Sequence, residues 1–466
     1  MKNNSRLLST FSVSALLCAV FVLLSFNLRA FQLEAAKLPE RVNSSFDILH
    51  YDARLTPDLT EQSVSGRVIV TAKKLTAKKQ SLVLSAKYKK AIKVSSDDVK
   101  LSYQILKDEL VINFYSPLTA GQIFSVAIDY YAAPKRGMRF YPDHMFTVYH
   151  TGNWLVSHAN IADKASFDLT LVHDKALKTI ANGRLVSQKP ATAGKMHSHW
   201  QQQTPIPLYT FGFALGEFLQ QSTAYNNQAV NFFYRPGQLS GLNRQKIKDV
   251  FADVPDMVRF FEEKSATALP NKQYSYVVVP GTVAQEAAGF SMVGEKFAHT
   301  VLEEPGENWF IAHELAHEWW GNSITCAGFS HFWLNEGLVQ FMVAAYQQHL
   351  FGEQAYHREV KLALARVKKT VAKGRNSPLA FDTEIAEQDI NHSIVYNKGA
   401  LVFYLLREKL GEKHFWQALK AYSLAFAGKS VVTDDLKRVF EQVSGSNLSP
   451  FFQRWVYGEE IPVIKL

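Results

Sequence analysis

The 466 residues predict an α+β chain of more than one domain, in which an antiparallel β region precedes a mainly helical one. Two observations carry that reading. Between Asn43 and about Pro236 apolar and polar residues alternate with a period of two, the pattern of half-buried strands; after Pro236-Gly237 apolar residues recur at three- and four-residue spacing over long stretches, the pattern of helices. Composition agrees, because 47% hydrophobic and 20% charged residues match an ordinary globular protein with a sizeable core and exclude a disordered, collagenous or coiled-coil chain. The 51 basic and 42 acidic residues leave a net charge of +9, diluted over a long chain, which fits solubility or an anionic membrane nearby and gives only weak support to nucleic acid, so none is expected as a partner. With only Cys18 and Cys326, no disulfide framework is available.

Lys2 and Arg6 precede an uncharged run over residues 7–28, densest in apolar residues from Phe11 to Phe26. The run is longer than the apolar part of most signal peptides, about 7–15 residues, and close to the roughly 20 a spanning helix requires. No good small-x-small cleavage site follows, since Leu28 lies two residues before Ala30. Residues 1–30 therefore read as a signal anchor with the remaining chain on the extracytoplasmic side; cleavage would give a secreted or periplasmic protein instead.

Strands are expected over residues 64–71, at Leu110, Ile112 and Phe114 after a turn at Lys107-Asp108, over 167–171, 178–185 and 231–234. These make residues 40–236 an N-terminal β domain. In the second half, Val250, Val254, Met257, Val258 and Phe261 predict one helix, and others hold residues 341–346 and 400–409. Thr433-Asp434-Asp435 and Ser449-Pro450 are helix starts, and Gly445 is a stop. A β-branched run at 276–279 predicts one strand inside the helical half. The basic amphipathic stretch 361–373 reads as a solvated helix face, with membrane or partner binding as the alternative.

The chemistry is concentrated in His313-Glu314-Leu315-Ala316-His317. Residues four apart share a helix face, so both imidazoles can reach one ion, while Glu314 flanks the water bound to it. After eighteen intervening residues His317 is followed by Glu336, in Trp333-Leu334-Asn335-Glu336-Gly337. Two histidines and a carboxylate leave a fourth position open, as expected of one catalytic zinc rather than a structural one.

Taken together, these motifs resemble the gluzincin zinc peptidases, specifically the aminopeptidase N family. The likeness extends to Glu318-Trp319-Trp320-Gly321-Asn322, to Tyr396-Asn397-Lys398-Gly399-Ala400 and, upstream, to Asp163-Lys164-Ala165-Ser166-Phe167, Thr204-Pro205 and the segment from Phe213 to Phe218. It implies a β domain packed on a thermolysin-like catalytic domain at 237–466, and a short form that lacks the further C-terminal domains of longer members, leaving the cleft less covered. It also implies His313, His317 and Glu336 as zinc ligands, Glu314 as general base and Tyr396 as donor to the oxyanion. One motif departs from the family. Where G-x-M-E-N is expected after the 276–279 strand, this chain has Val283-Ala284-Gln285-Glu286-Ala287, so the amine-binding role falls to Glu286, with a solvated loop carboxylate as the alternative reading. That strand is also expected to pair with an extended substrate. Peptides are the implied substrates. A zinc endopeptidase or other zinc hydrolase on the same fold is the alternative, favoured by the altered amine motif, and a non-catalytic envelope binding protein is a third reading against which Glu314 and Tyr396 argue.

Overall fold

The computed structural model describes residues 45–76, 80–226, 228–239, 244–271 and 273–464. Residues 1–30, with the apolar run 7–28, lie outside them; among the described residues no helix is long and apolar enough to cross a membrane.

The first part of the chain is built from sheets. Seven strands pair in the order Arg184–Pro190, Lys195–Pro207, Lys164–Asp174, Phe46–Asp58, Ser63–Lys74, Ile123–Ala132 and Lys89–Ser95, while a four-stranded and a three-stranded sheet complete the region. Alternation in the sequence becomes alternation in burial: Phe167, Leu169 and Leu171 point into the core and Asp168 and Thr170 away from it. Two expectations are corrected. The sheet is not wholly antiparallel, because Phe46–Asp58 and Lys164–Asp174 run parallel. The strand expected at 178–185 is two, Lys178–Ala181 and Arg184–Pro190, in different sheets, because the chain reverses at Gly183 (φ +76°), where a Cβ would meet the Gln201 carbonyl.

A five-stranded mixed sheet follows, formed by β1 (Leu219–Tyr225), β2 (Gln228–Tyr234), β3 (Gln273–Val279), β4 (Ala284–Ala287) and β5 (Phe290–Gly294) in the order β1-β2-β3-β5-β4. The grain of the sequence changes after residue 236, but the hydrogen bonding does not, since β2 pairs in parallel with β3 across that point. The apolar run at 276–279 is an interior strand, buried along its length. It cannot therefore take a substrate strand as expected. The open edge belongs to β4, which folds back antiparallel to β5 and carries Glu286 itself.

Helices pack against this sheet. The single helix expected around Val250 to Phe261 is broken into Arg244–Val250 and Val254–Ser265, with Pro255 opening the second, a position at which proline lacks only a donor that would be unpaired anyway. The elements that matter for the site are α1 (Trp309–Ala316), α2 (Trp333–Phe351), α3 (Glu353–Val371) and α4 (His392–Phe426), the last interrupted at Gly411. Helices also start at Thr433 and Ser449 and the first stops at Gly445, as expected. The fold is thus α+β, with an antiparallel-rich β region before a mainly helical, thermolysin-like one. The expected basic helix face is part of α3, whose Val360, Ala363 and Val367 are buried while Lys361, Lys368 and Lys369 are exposed.

Candidate metal centre and cleft

α1 is apolar around its whole circumference and buried from Phe310 to Ala316, so the two ionisable side chains it carries, His313 and Glu314, enter the interior at a cost that only specific partners offset. The helix is held in one rotational setting by β3. Tyr274 Oη donates to the Glu314 carbonyl at 3.0 Å, and Tyr276 Oη donates to the Ile311 carbonyl at 3.1 Å. With that setting the i, i+4 spacing brings His313 Nε2 and His317 Nε2 to 3.2 Å.

Glu336 closes the triangle. Its Oε2 lies 3.4 Å from His313 Nε2 and 3.4 Å from His317 Nε2, and all three residues are buried. A tetrahedral zinc with bonds of about 2.0–2.2 Å requires ligand atoms roughly 3.3–3.5 Å apart, so the three edges fit a single ion. The tautomer fits as well. The Trp320 carbonyl, 3.1 Å from His317 Nδ1, can only accept, which places the proton on Nδ1 and leaves the Nε2 lone pair facing the centre. Gly321 makes this contact feasible, because a Cβ there would stand 2.6 Å from the same Nδ1. Charge points the same way. Burial alone would raise the Glu336 carboxyl and lower the His317 imidazole; the imidazoles instead hold Glu336 below the carboxylate range, and the Glu336 and Glu286 carboxylates push His317 up to about 10. The donor set calls for a cation.

Two long-range devices bring Glu336 to the histidines. Asn335 Oδ1 accepts from the Cys326 amide at 2.9 Å while its Nδ2 donates to Tyr209 Oη, and Tyr209 in turn donates to the Gly321 carbonyl at 3.0 Å, so one tyrosine from the β region spans the ends of both metal-bearing segments. α2 and α4 then touch backbone to backbone: a Cβ on Gly337 would lie 2.8 Å from Gly399 Cα, and one on Gly399 would lie 2.7 Å from Gly337 Cα. This contact sets Tyr396, one turn before residue 400, beside the centre. Its ring stacks on that of His313 with centroids 5.7 Å apart and planes 8° from parallel. Lys398, fully buried, fastens the same turn by donating to the Gly458 carbonyl at 2.7 Å.

Glu286 is 6% exposed, and burial raises its carboxyl to about 7. The turn behind it is clamped by Glu318, which accepts from the Gly289 amide at 2.8 Å, Asn322 Nδ2 at 2.9 Å and Asn271 Nδ2 at 3.1 Å. In front, Tyr149 Oη donates to the Ala284 carbonyl at 2.8 Å and the Tyr149 amide donates to Gln285 Oε1 at 2.9 Å. Tyr149 and His150 both hold left-handed backbone angles, φ 49° and 47°, a strained arrangement for two consecutive residues with side chains.

The cleft divides into two cavities of about 470 and 480 Å³ that share Tyr149, Glu286, His392 and Tyr396. Tyr209, Phe329, Phe332 and Glu336 line only the first; Trp309, His313, Glu314 and Arg366 line only the second. All six residues singled out in the sequence thus converge. Tyr149, Tyr209 and Glu318 were not singled out, and Arg366 was read only as part of the solvated basic stretch 361–373; Glu318, beside the second histidine, carried a signal that further reading could have used.

Residues 253–455 match the peptidase family M1 domain. The chain carries a peptidase family M1 domain. Aminopeptidase M1-B of Oryza sativa subsp. japonica is 27% identical over 459 residues, covering 89% of this chain and 50% of that protein. The chain spans about half the length of the curated relatives it matches. Among solved structures, an M1 zinc metallopeptidase from Deinococcus radiodurans superposes with a TM-score of 0.76 at 20% identity, covering 90% of this chain and 95% of that one. Yeast LTA4 hydrolase superposes with a TM-score of 0.78 at 18% identity, covering 95% and 73%. M1 zinc metallopeptidases use one catalytic zinc, and His313, His317 and Glu336 of this chain fit one.

Proposed function

We propose that the protein is a zinc aminopeptidase that removes N-terminal residues from peptides. The observation that carries this reading is a buried carboxylate, Glu286, on the open edge of β4, sharing both cavities with Tyr396 beside the His313–His317–Glu336 triangle. Aminopeptidases among the relatives support it, as does the Deinococcus radiodurans neighbour solved with a Tyr-Ser-Ala substrate.

His313, His317 and Glu336 would hold a zinc ion, which would supply Lewis acidity toward the scissile carbonyl and lower the pKa of a bound water toward about 7. Glu286, itself buried, holds the α-amine of the substrate by a charge-assisted hydrogen bond and so sets which peptide bond lies at the centre. Glu314, one residue after His313 and facing the second cavity, takes the proton from the attacking water and returns it to the leaving amine. Tyr396 donates its phenolic proton in a hydrogen bond to the oxygen on which negative charge develops. The His313 ring stacked against it fixes the direction of that bond.

The reading includes a site of action outside the cytoplasm, supported by the basic residues ahead of the 7–28 run; N-terminal sequencing and protease accessibility of intact cells test it. The activity is tested with matched peptides bearing free and acetylated N-termini. Trimming of the free series only is the expected result, and internal cleavage of the blocked series would make the enzyme an endopeptidase.

A further inference from the structure

We propose that Arg366 binds the C-terminal carboxylate of short peptides on the leaving-group side of the cleft, making di- and tripeptides with a free C-terminus the preferred substrates. The inference deepens the aminopeptidase reading and rests on it.

The two sides of the cleft are distinguishable. Glu314 must return a proton to the leaving amine, and Glu314 with His313 lines the second cavity and not the first. The part of the peptide beyond the scissile bond therefore occupies the second cavity. One wall of that space is aromatic, with Phe297 and Trp309 edge to face at 5.7 Å. Arg366, from α3, stands among its polar residues and is the one lysine or arginine among the described residues lining either cavity.

Its guanidinium has work to spare. Among the described residues it makes no ion pair or side-chain hydrogen bond, and Glu359, seven residues back on the same helix, feels its charge without pairing to it. Five N–H donors in a planar fork match a carboxylate in two parallel bonds. A volume of about 480 Å³ accommodates one or two residues of a leaving portion.

A second observation points to an end group rather than a running chain. The Ala284 carbonyl, on the second cavity's side of β4, is already taken by Tyr149 Oη. Main-chain pairing along that edge is thus closed at the residue where a leaving portion would begin to use it. Affinity there has to come from another contact, and the terminal carboxylate is the group that Arg366 can read.

The experiment uses the zinc-loaded full chain with di- and tripeptides as free acids and as C-terminal amides, alongside an aminoacyl p-nitroanilide. The wild type is expected to favour acids over amides about tenfold or more in kcat/KM. In Arg366→Gln that ratio falls toward one through a raised KM, and Arg366→Lys retains part of it, while zinc content stays at one per chain in each. An acid-to-amide ratio near one in the wild type, or an Arg366→Gln loss that is equal for acids and amides, overturns the proposal alone. A wild type that cuts neither the peptides nor the anilide overturns the aminopeptidase reading and this inference with it.

Discussion

His313 and His317 meet because four residues of helix separate them, whereas Glu286 reaches the same space on a four-residue edge strand held by groups from three distant segments. The helix needs two phenols from β3 to fix its rotation. The strand needs Tyr149 in front, Glu318 behind and Asn182, whose Nδ2 donates to the Ala288 carbonyl at 2.8 Å. The candidate metal site is therefore written mostly in local spacing, and the proposed substrate-binding strand mostly in tertiary contacts. The difference implies that damage to the helical side should remove chemistry, while damage to the strand side should change which substrates are handled.

Breaking the helical side outright should have the largest effect. Glu336→Ala is expected to lose both zinc and turnover, and metal analysis of the purified variant decides the matter; a full complement of zinc would mean Glu336 is not a ligand. Glu314→Gln should keep its zinc, because Glu314 lies outside the ligand triangle, and lose about 10²–10⁴ in kcat. Hydrolysis at the wild-type rate would remove Glu314 from the mechanism. Tyr396→Phe comes next, with kcat lower by about 10²–10³, the usual loss for one oxyanion donor, and KM little changed. Here a loss confined to KM would point to substrate positioning.

The strand side sharpens the comparison with smaller and more selective effects. Glu286→Ala is expected to weaken cleavage of free-amine peptides by roughly 10–100-fold, through a lost charged hydrogen bond, with zinc binding intact. Equal losses of zinc and activity would show that the strand supports the metal instead. Glu318→Ala leaves the Gly289 amide and two asparagine side chains without their acceptor, and at about 1–3 kcal/mol for such a group the thermal midpoint should fall by several degrees. Scanning calorimetry measures it, and an unchanged midpoint would show that the clamp is not needed.

How much was legible follows the same division. The i, i+4 histidines, the downstream carboxylate and the tyrosine ahead of Lys398-Gly399-Ala400 are short patterns, and every one of them converges on the centre. Residue alternation found the strands around Leu110 and Phe167 for the same reason, that period two is a local property. Glu286 was readable only as a departure from a motif. Its setting was misread, because a buried apolar run such as 276–279 does not reveal whether its neighbours in the sheet are protein or substrate. Tyr149 and Tyr209 gave no signal, since a tyrosine's hydroxyl acquires its task only when strands separated by more than a hundred residues are brought together. Apolar periodicity likewise ran straight through residues 251–253, where the backbone stops one helix and restarts the next just ahead of Pro255.

Lys398 joins the turn that carries Tyr396 to the carbonyl of Gly458, and that bond has a place in time as well as in space. During synthesis a chain emerges at about 5–20 residues per second and folds from its N-terminal side, so the histidine pair leaves the ribosome on the order of ten seconds before the acceptor that Lys398 requires. Through that interval the helix with the histidine pair can form while the turn that carries Tyr396, the proposed oxyanion donor, is still unfastened. The clasp thus dates the last fastening of the Tyr396 turn to the emergence of the 458 region rather than to the arrival of the histidine pair.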